Sequence, residues 1–321
     1  MNIKKIGLTA LAASLVSVSA NAGSMSVSGS ASMNTSGVSG QGQNGGSSFS
    51  MGNQLTFTGS GELDNGMTVS LSFIQDEGTA TFDNHSVSVS SDAMGTLVLH
   101  GQGGGSATSA MDATAAGNVW DTFDGARGTA SDGSTAVVTA LGMSSSAPGN
   151  NSFMYTLPTL MDGVAVKLSY EPQQSGNTID SGTGYAVTYT GVEGLTLVYS
   201  ESDIVGTTSD LSGDQTAWKV SYAYGPVTAT MTQSEFDVTT TTSDQDVSSA
   251  ALSYTISDEM SVTYGTETIE STSSGHVDAE YEVLKGSYTS GGMTIAVQMK
   301  EGENVDHSTN ANADFEYWGL G

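Results

Sequence analysis

Residue types that commonly do chemistry are present in this sequence, but their spacing is not that of an enzyme or a metal site. The segment Gly40–Gly45 matches G-x-G-x-x-G without a following helix, so we interpret it as a flexible external loop. There is no G-x-S-x-G motif, and no cysteine is available as a nucleophile or ligand. The histidines lie far apart and lack zinc-type spacing: His85, His100, His276 and His307. The sequence therefore predicts no enzyme and no bound cofactor.

Acidic side chains are the most abundant candidate ligands, and they concentrate between the predicted strands. They are Asp76, Glu77, Asp83, Asp203, Asp210, Asp214, Glu235, Asp237, Asp244, Glu301, Glu303 and Asp306. Such oxygen clusters could hold Ca²⁺, although no EF-hand spacing is present and a solvated anionic surface is the simpler interpretation. Without the two lysines of the N-terminal signal described below, the formal charge is 5 − 34 = −29. This acidity excludes a nucleic-acid partner, since no basic cluster exists to neutralise phosphates.

The elements that must carry these residues are β-strands. From Ser24 onward, about sixteen segments of alternating polarity are joined in turn by tight Gly/Asp/Asn turns and by longer polar stretches. Alternate short and long connections are typical of outer-membrane barrels, and an even number near sixteen is wide enough for an aqueous channel. The predicted fold class is therefore all-β, a transmembrane antiparallel β-barrel of about 16 strands with a long third loop folded into the lumen.

The phase of the alternation predicts which face meets lipid. In Val164–Tyr170 the apolar residues alternate with alanine, lysine and serine, and the pattern recurs in later segments. A lysine at the centre of the lipid face would cost ~2 to 4 kcal/mol, so Lys167, Lys219 and Lys300 are expected to face enclosed water. Tyrosines gather near predicted strand ends, as interfacial girdles require. The alternative is a secreted β-sandwich or solenoid, but so many hairpin-spaced strands exceed what one sandwich usually holds.

The N-terminus predicts export. Lys4 and Lys5 precede the apolar run Ile6–Val18, and Ala20-Asn21-Ala22 supplies the small residues of a signal-peptidase site. The run is too short to span a bilayer as a helix, which needs about 20 apolar residues. We assign residues 1–22 to a signal peptide and residues 23–321 to the barrel.

One connection differs from the others. Residues 101–151 carry their own apolar side chains, and loops beyond about 15 residues are usually functional or disordered. As a constriction loop folded into the barrel, this segment would bury Trp120 and Phe123 against the inner wall. Its carboxylates would then lie near the narrowest point: Asp112, Asp121, Asp124 and Asp132. The alternative is a loop that caps the outside or is mobile.

The hairpin after this loop resembles a known family. Asn151–Val164, followed by Lys167 and Ser169-Tyr170, is similar to the hairpin after the constriction loop of Gram-negative general porins. There, an Asn-Ser stretch leads through a Leu-Pro turn region to a strand ending in tyrosine. The export signal, the turn Tyr222–Val227 and the order of connections also look like acidic porins of the alphaproteobacterial type. The resemblance covers the mature chain in its layout.

What the resemblance implies is a homotrimer of water-filled pores in outer-membrane lipid, open to small ions and hydrophilic solutes. In such porins the carboxylates of the third loop face basic side chains on the wall. The carboxylates map onto Asp112, Asp121 and Asp124. The arginines expected before Asn151-Ser152 are missing. The remaining basic candidates are Arg127, Lys167 and Lys219, while Lys285 and Lys300 share the inward phase.

The C-terminus departs from the resemblance. Barrels of this family end in an aromatic residue, whereas this sequence ends in Trp318-Gly319-Leu320-Gly321. We expect a few residues of the closing strand to follow Gly321. With Gly321 as the natural end, closure against the first strand would be in doubt.

The predicted function is an outer-membrane pore for passive diffusion. Without a dense basic cluster its field should be negative, which predicts a modest preference for cations. The alternative is an acidic surface or adhesin-type barrel, or a cation-binding outer-membrane protein with no general transport role. A barrel enzyme has no support in the sequence.

Overall fold

The computed structural model describes residues 25–40, 46–76, 84–109, 113–123, 150–172, 179–206, 212–238, 245–271, 277–307 and 314–321. The predicted signal peptide lies outside these ranges, as do Asp112, Asp124, Arg127 and Asp132 of the predicted constriction. Within the described ranges, no helix is long and apolar enough to cross a membrane.

Sixteen antiparallel strands and two short 3₁₀ helices, Trp120–Thr122 and Val305–His307, make up the regular structure of these residues. The strands are β1 (Met25–Gly40), β2 (Gly46–Glu62), β3 (Thr68–Asp76), β4 (Asn84–Ser91), β5 (Gly95–Gln102), β6 (Ser152–Thr156), β7 (Val164–Glu171), β8 (Ile179–Tyr189), β9 (Leu195–Gly206), β10 (Gly213–Tyr224), β11 (Val227–Val238), β12 (Gln245–Ser257), β13 (Met260–Ser271), β14 (Ala279–Ser290), β15 (Met293–Glu303) and β16 (Phe315–Leu320). Each strand pairs with its neighbours in sequence, and β16 pairs with β1 to close the barrel. The predicted antiparallel barrel is confirmed.

The tight turns lie where the sequence predicts them. Gly225-Pro226 joins β10 to β11, and Gly291-Gly292 joins β14 to β15. Gly225 adopts φ 56°, in the left-handed region that glycine enters without a steric penalty. These turns all lie at one end of the barrel, which we call the turn end; the longer connections lie at the loop end.

The longer connections are shorter than predicted, because the strands extend further toward the loop end. From its polarity pattern alone, the sequence predicts a first strand that ends near Met33 and a second that begins near Gln54. In the structure β1 runs to Gly40 and β2 begins at Gly46. The intervening Ser/Gly/Asn residues have weak apolar alternation. They still pair, since cross-strand hydrogen bonds form between backbone groups whatever the side chains are.

Side-chain exposure separates the two faces of the wall. Near the loop end of β14 the alternate residues Ala279, Tyr281 and Val283 are buried on one face, while Glu280, Glu282 and Leu284 are exposed on the other, so the predicted polarity of the two faces does not hold there. Across the barrel the exposed set includes Phe49, Met231, Leu252, Tyr254 and Trp318. Residues directly opposite each other on paired strands share a face, so the register extends this assignment around the ring. We call the exposed apolar face outward and the Ser/Thr/Lys face inward.

The seam between the first and last strands is short. β16 pairs with β1 only over Thr35–Gly40, whereas β1 pairs with β2 from Met25 to Val38. On its other side β16 pairs with Val297–Gly302 of β15. Gly321 adds two backbone hydrogen bonds with Ala296, at 2.8 and 2.9 Å.

Candidate functional site

The connection between β5 and β6 returns to the inward face of the wall in two places. Its first described part, residues 103–109, lies against β5 and β8. Gly104 approaches the His100 ring so closely that a Cβ on it would be 2.1 Å from Cγ, and a Cβ on Gly184 would be 3.4 Å from the Thr108 methyl group. Thr108 and Ala107 are almost fully buried there.

The second described part, residues 113–123, lies against strands β11 to β16. The amide N–H of Ala115 donates to the Thr232 hydroxyl at 2.9 Å, and that of Ala116 donates to the Ser249 hydroxyl at 2.9 Å. Both hydroxyls are on the inward face. We call residues 113–123 the docked segment.

A buried carboxylate on β13 holds the docked segment. Glu267 is 1 % exposed and accepts hydrogen bonds from the Thr114 hydroxyl and the Val119 amide at one oxygen. Its other oxygen accepts from the Trp120 amide at 3.1 Å. A carboxylate is an acceptor only, so it matches a set of three donors without conflict.

Two inward lysines hold the same segment from the next strands. The Lys285 ammonium donates to the Ala116 carbonyl at 2.6 Å, and the Lys300 ammonium donates to the Thr122 hydroxyl. Lys300 also lies 5.4 Å from the centroid of the Tyr317 ring, within cation–π range. Its side chain is only 8 % exposed.

An apolar cluster completes the contact. The Phe123 ring is fully buried and stacks on Tyr281 at 5.9 Å between centroids, with Phe315 at 6.4 Å. Two inward glycines make room for this close approach. A Cβ on Gly265 would lie 2.9 Å from that of Ala116, and one on Gly302 would lie 3.1 Å from the Phe123 ring.

The predicted site residues are only partly brought together. Asp121 is described, lies exposed on the docked segment and acts electrostatically on Lys300. Lys167 and Lys219 are on the inward phase, opposite Thr156 and Thr232. The lysines that contact the segment are instead Lys285 and Lys300.

Sequence reasoning missed the role of Glu267. Its signal was present: it shares the phase of the inward residues Thr263 and Gly265, opposite to Val262 and Tyr264. An acid at an inward position in a wall of serine and threonine is unusual. Nothing in the sequence alone connects it to a segment about 150 residues earlier, which only the three-dimensional contact shows.

Many of the acidic residues assigned to loops lie on strands and point outward. Asp203, Asp214, Glu235, Asp237, Glu301 and Glu303 were expected in loops, but each is within a strand because the strands extend toward the loop end. We call the outward carboxylates of β9 to β16 the outer carboxylate band. Its members are Glu201, Asp203, Asp214, Glu235, Asp237, Asp246, Glu270, Glu280, Glu282, Glu301, Glu303 and Glu316.

Because of the outer carboxylate band, the net charge of the chain is a poor measure of the charge that faces the interior. Its carboxylates are separated from enclosed water by the wall, and salt screens exposed charges over about 8 Å at physiological ionic strength. The inward Asp, Glu and Lys residues of the described strands are fewer, with four of each sign: Glu62, Asp76, Lys167, Glu171, Lys219, Glu267, Lys285 and Lys300. The large negative charge of the chain therefore overstates the field inside the barrel.

No group of three or more His, Asp or Glu side chains among the described residues is arranged to hold a metal ion. Several acids of the calcium prediction, including Asp83, Asp210 and Asp244, lie outside those residues.

Proteins with a similar sequence profile and a similar fold are known. The profile of the Gram-negative porin family matches residues 7–321. The anion-selective porin from Comamonas acidovorans superposes with a TM-score of 0.66 at 14% identity, covering 93% of this chain and 98% of that one. A mutant of the Rh. blastica porin gives a TM-score of 0.63 at 16% identity, covering 92% of this chain and 99% of that one. No curated protein sequence matches the chain.

Proposed function

Because the chain belongs to the Gram-negative porin family, we propose that its pore in the outer membrane serves the passive diffusion of small hydrophilic solutes and ions. Members of this family are channels, and the chain is not an enzyme. The finer features of the proposal are the solute class, a modest preference for cations and assembly as a homotrimer.

The polar inward face is the observation that supports diffusion of hydrophilic solutes. Facing hydroxyls line it in pairs across strands, for example Ser221 with Thr230 at 3.0 Å and Ser253 with Thr263 at 2.8 Å. Small hydroxyl side chains offer both donors and acceptors to water and to hydrated solutes. Such small side chains repeat along the described wall, which favours unspecific passage.

The docked segment supports a narrowed bore. Residues 103–109 contact β5 and β8, while residues 113–123 contact β11 to β16, so two parts of this connection lie against different strands of the inward face. Ordered backbone inside the barrel removes cross-section that solutes would otherwise use. Asp121 is exposed on this segment.

The inward charges support a modest preference for cations. Lys285 and Lys300 are engaged by the docked segment, which leaves Lys167 and Lys219 as the inward lysines of the described strands that it does not hold. Asp121 adds a fifth carboxylate to Glu62, Asp76, Glu171 and Glu267, against four inward lysines, so the formal excess on the described residues is 5 − 4 = 1 negative charge. This excess of negative charge is small, so the expected preference for cations is modest.

The outward face supports assembly with other copies. Strands β1 to β7 carry no outward carboxylate among their described residues, and they expose large apolar side chains including Met25, Met33, Phe49 and Met51. The outer carboxylate band occupies the other half. Like charges would oppose contact there, so the carboxylate-free sector is the one suited to subunit contact.

Planar-bilayer recording of the purified protein tests the proposal. Stepwise, long-lived, ohmic conductance increments are expected, together with uptake of small sugars by proteoliposomes. Absence of both would overturn the pore, and uptake restricted to one solute would overturn unspecific diffusion. Under a KCl gradient the reversal potential should have the sign of K⁺ selectivity; the opposite sign defeats the cation preference alone. Mass measurement in mild detergent should give three copies.

A further inference from the structure

Glu267 stands apart from the other inward acids because the docked segment occupies both of its oxygens. The donors are the Thr114 hydroxyl and the amides of Val119 and Trp120. Two of these are backbone groups, which have no other way to be satisfied once buried against the wall. The carboxylate therefore holds the backbone of the docked segment at Val119 and Trp120 as well as the side chain of Thr114.

The surrounding charges make this contact depend on ionisation. Lys285 and Lys300 lie on the next two strands and hold Ala116 and Thr122 of the same segment. Both lysines interact electrostatically with Glu267. A buried charge is costly unless it is paired and hydrogen-bonded, so Glu267 lowers the cost of burying each lysine, whereas the two lysines repel each other and depend on Glu267 for compensation.

We propose that Glu267 is the positioning residue that latches the docked segment to the wall, and that it thereby sets the bore and keeps Lys285 and Lys300 covered. This inference rests on the proposed pore function. Releasing the latch would have two electrical consequences at once. The bore would widen, and two uncompensated ammonium groups would face the permeating ions.

The first test is Glu267→Gln, which keeps the shape of the side chain and replaces one acceptor oxygen by a donor amide. That amide would face an N–H or a hydroxyl donor, so the contact weakens. Single-channel conductance is expected to rise about twofold as the segment leaves the bore. The reversal potential should move toward anions. Glu270→Gln is the matched control, since Glu270 is on the same strand but faces outward; it should change neither quantity.

A disulfide rescue separates movement of the segment from other effects of the substitution. The chain has no cysteine, so an engineered pair would be unique. A Cβ on Gly265 would lie 2.9 Å from that of Ala116, against a span of about 3.5 to 4.5 Å in disulfides, so a small outward shift accommodates the bond. Oxidising the Ala116→Cys, Gly265→Cys pair in the Glu267→Gln background should restore low conductance. Reduction should raise it again.

Unchanged conductance and selectivity in Glu267→Gln, or high conductance that persists after oxidation, would overturn the latch. If the wild-type protein conducts and these results occur, only this inference fails; a silent wild-type protein defeats the pore itself. Should Glu267→Gln not insert, Thr114→Val removes the hydroxyl that donates to Glu267 and that also accepts from the Gly117 and Asn118 amides, without altering the wall. Thr114→Val should then raise conductance fluctuations above the wild-type level, and equal fluctuations would likewise refute the latch.

Discussion

Replacing Phe123 by alanine should undock the inward segment while leaving the barrel closed. The Phe123 ring is fully buried, stacks on Tyr281 and is flanked by Phe315. Phe→Ala at a packed site costs about 3–5 kcal/mol, because transfer and cavity terms add. At 1.4 kcal/mol per tenfold change, a loss of about 4 kcal/mol lowers the docked-to-undocked ratio by roughly a thousandfold.

The strands should resist this change because their pairing does not depend on the segment. β13, β14 and β15 remain hydrogen-bonded to one another through backbone groups. Unfolding of the strands in urea should therefore shift far less than amide exchange in residues 114–123. Hydrogen exchange read by mass spectrometry distinguishes the two, with bilayer conductance as the functional readout.

Tyr254→Ala is the matched control for this experiment. Tyr254 is 47% exposed on the outward face of β12, away from the sector proposed for subunit contact, so removal of its ring loses few protein contacts. Slow exchange of residues 114–123 in Phe123→Ala, equal to that of the wild type, would refute the packing argument. So would loss of the whole barrel at the same urea concentration that releases the segment.

Three further outcomes follow from the geometry. Gly265→Val should displace Ala116 and raise conductance, because a Cβ at position 265 would lie only 2.9 Å from the Cβ of Ala116. An unaltered conductance would contradict this close approach. Asp121→Asn should move the reversal potential toward anion selectivity. The double variant Glu301→Gln, Glu303→Gln should leave the reversal potential nearly unchanged, because these outward carboxylates are screened from the interior. A larger effect of the double variant would contradict our interpretation of the outer carboxylate band. Met231→Lys should destabilise the lipid-inserted barrel by ~2 kcal/mol or more, while Thr230→Lys on the inward face should cost far less; equal losses in urea titrations would contradict the assigned faces.

The strand pattern was predictable because it is a local property. The period of two in segments such as Val164–Tyr170 decides which residues share a face, and glycine-containing turns such as Gly225-Pro226 end the strands. The strand count and the inward phase of Lys167 and Lys219 followed from this rule. Burial of Phe123 was expected from its place in an apolar stretch of a long connection.

The sequence does not show which residues that are far apart in the chain come into contact. Lys285 and Lys300 were recognised as inward, but their contacts with Ala116 and Thr122 join residues far apart in the chain. The extent of β1 also escaped prediction, because serine and glycine near the loop end show little polarity contrast. Part of the outer carboxylate band escaped prediction for the same reason: the apolar alternation fades near Asp203, Asp214, Glu235, Asp237, Glu301 and Glu303, and the sequence therefore predicts loops there.

The seam has a consequence for how the barrel assembles. Every pairing except that of β1 with β16 joins strands adjacent in sequence, so hairpins can form with little chain-closure entropy, apart from β5 and β6, which the long connection separates. Joining β1 to β16 brings together residues such as Thr35 and Leu320, and non-local pairing of this kind slows folding. Contacts of Phe123 with Phe315 likewise wait for the last strand to arrive. Ring closure and docking of the inner segment should therefore be late, coupled events, and the interior stays wide until the ring is complete.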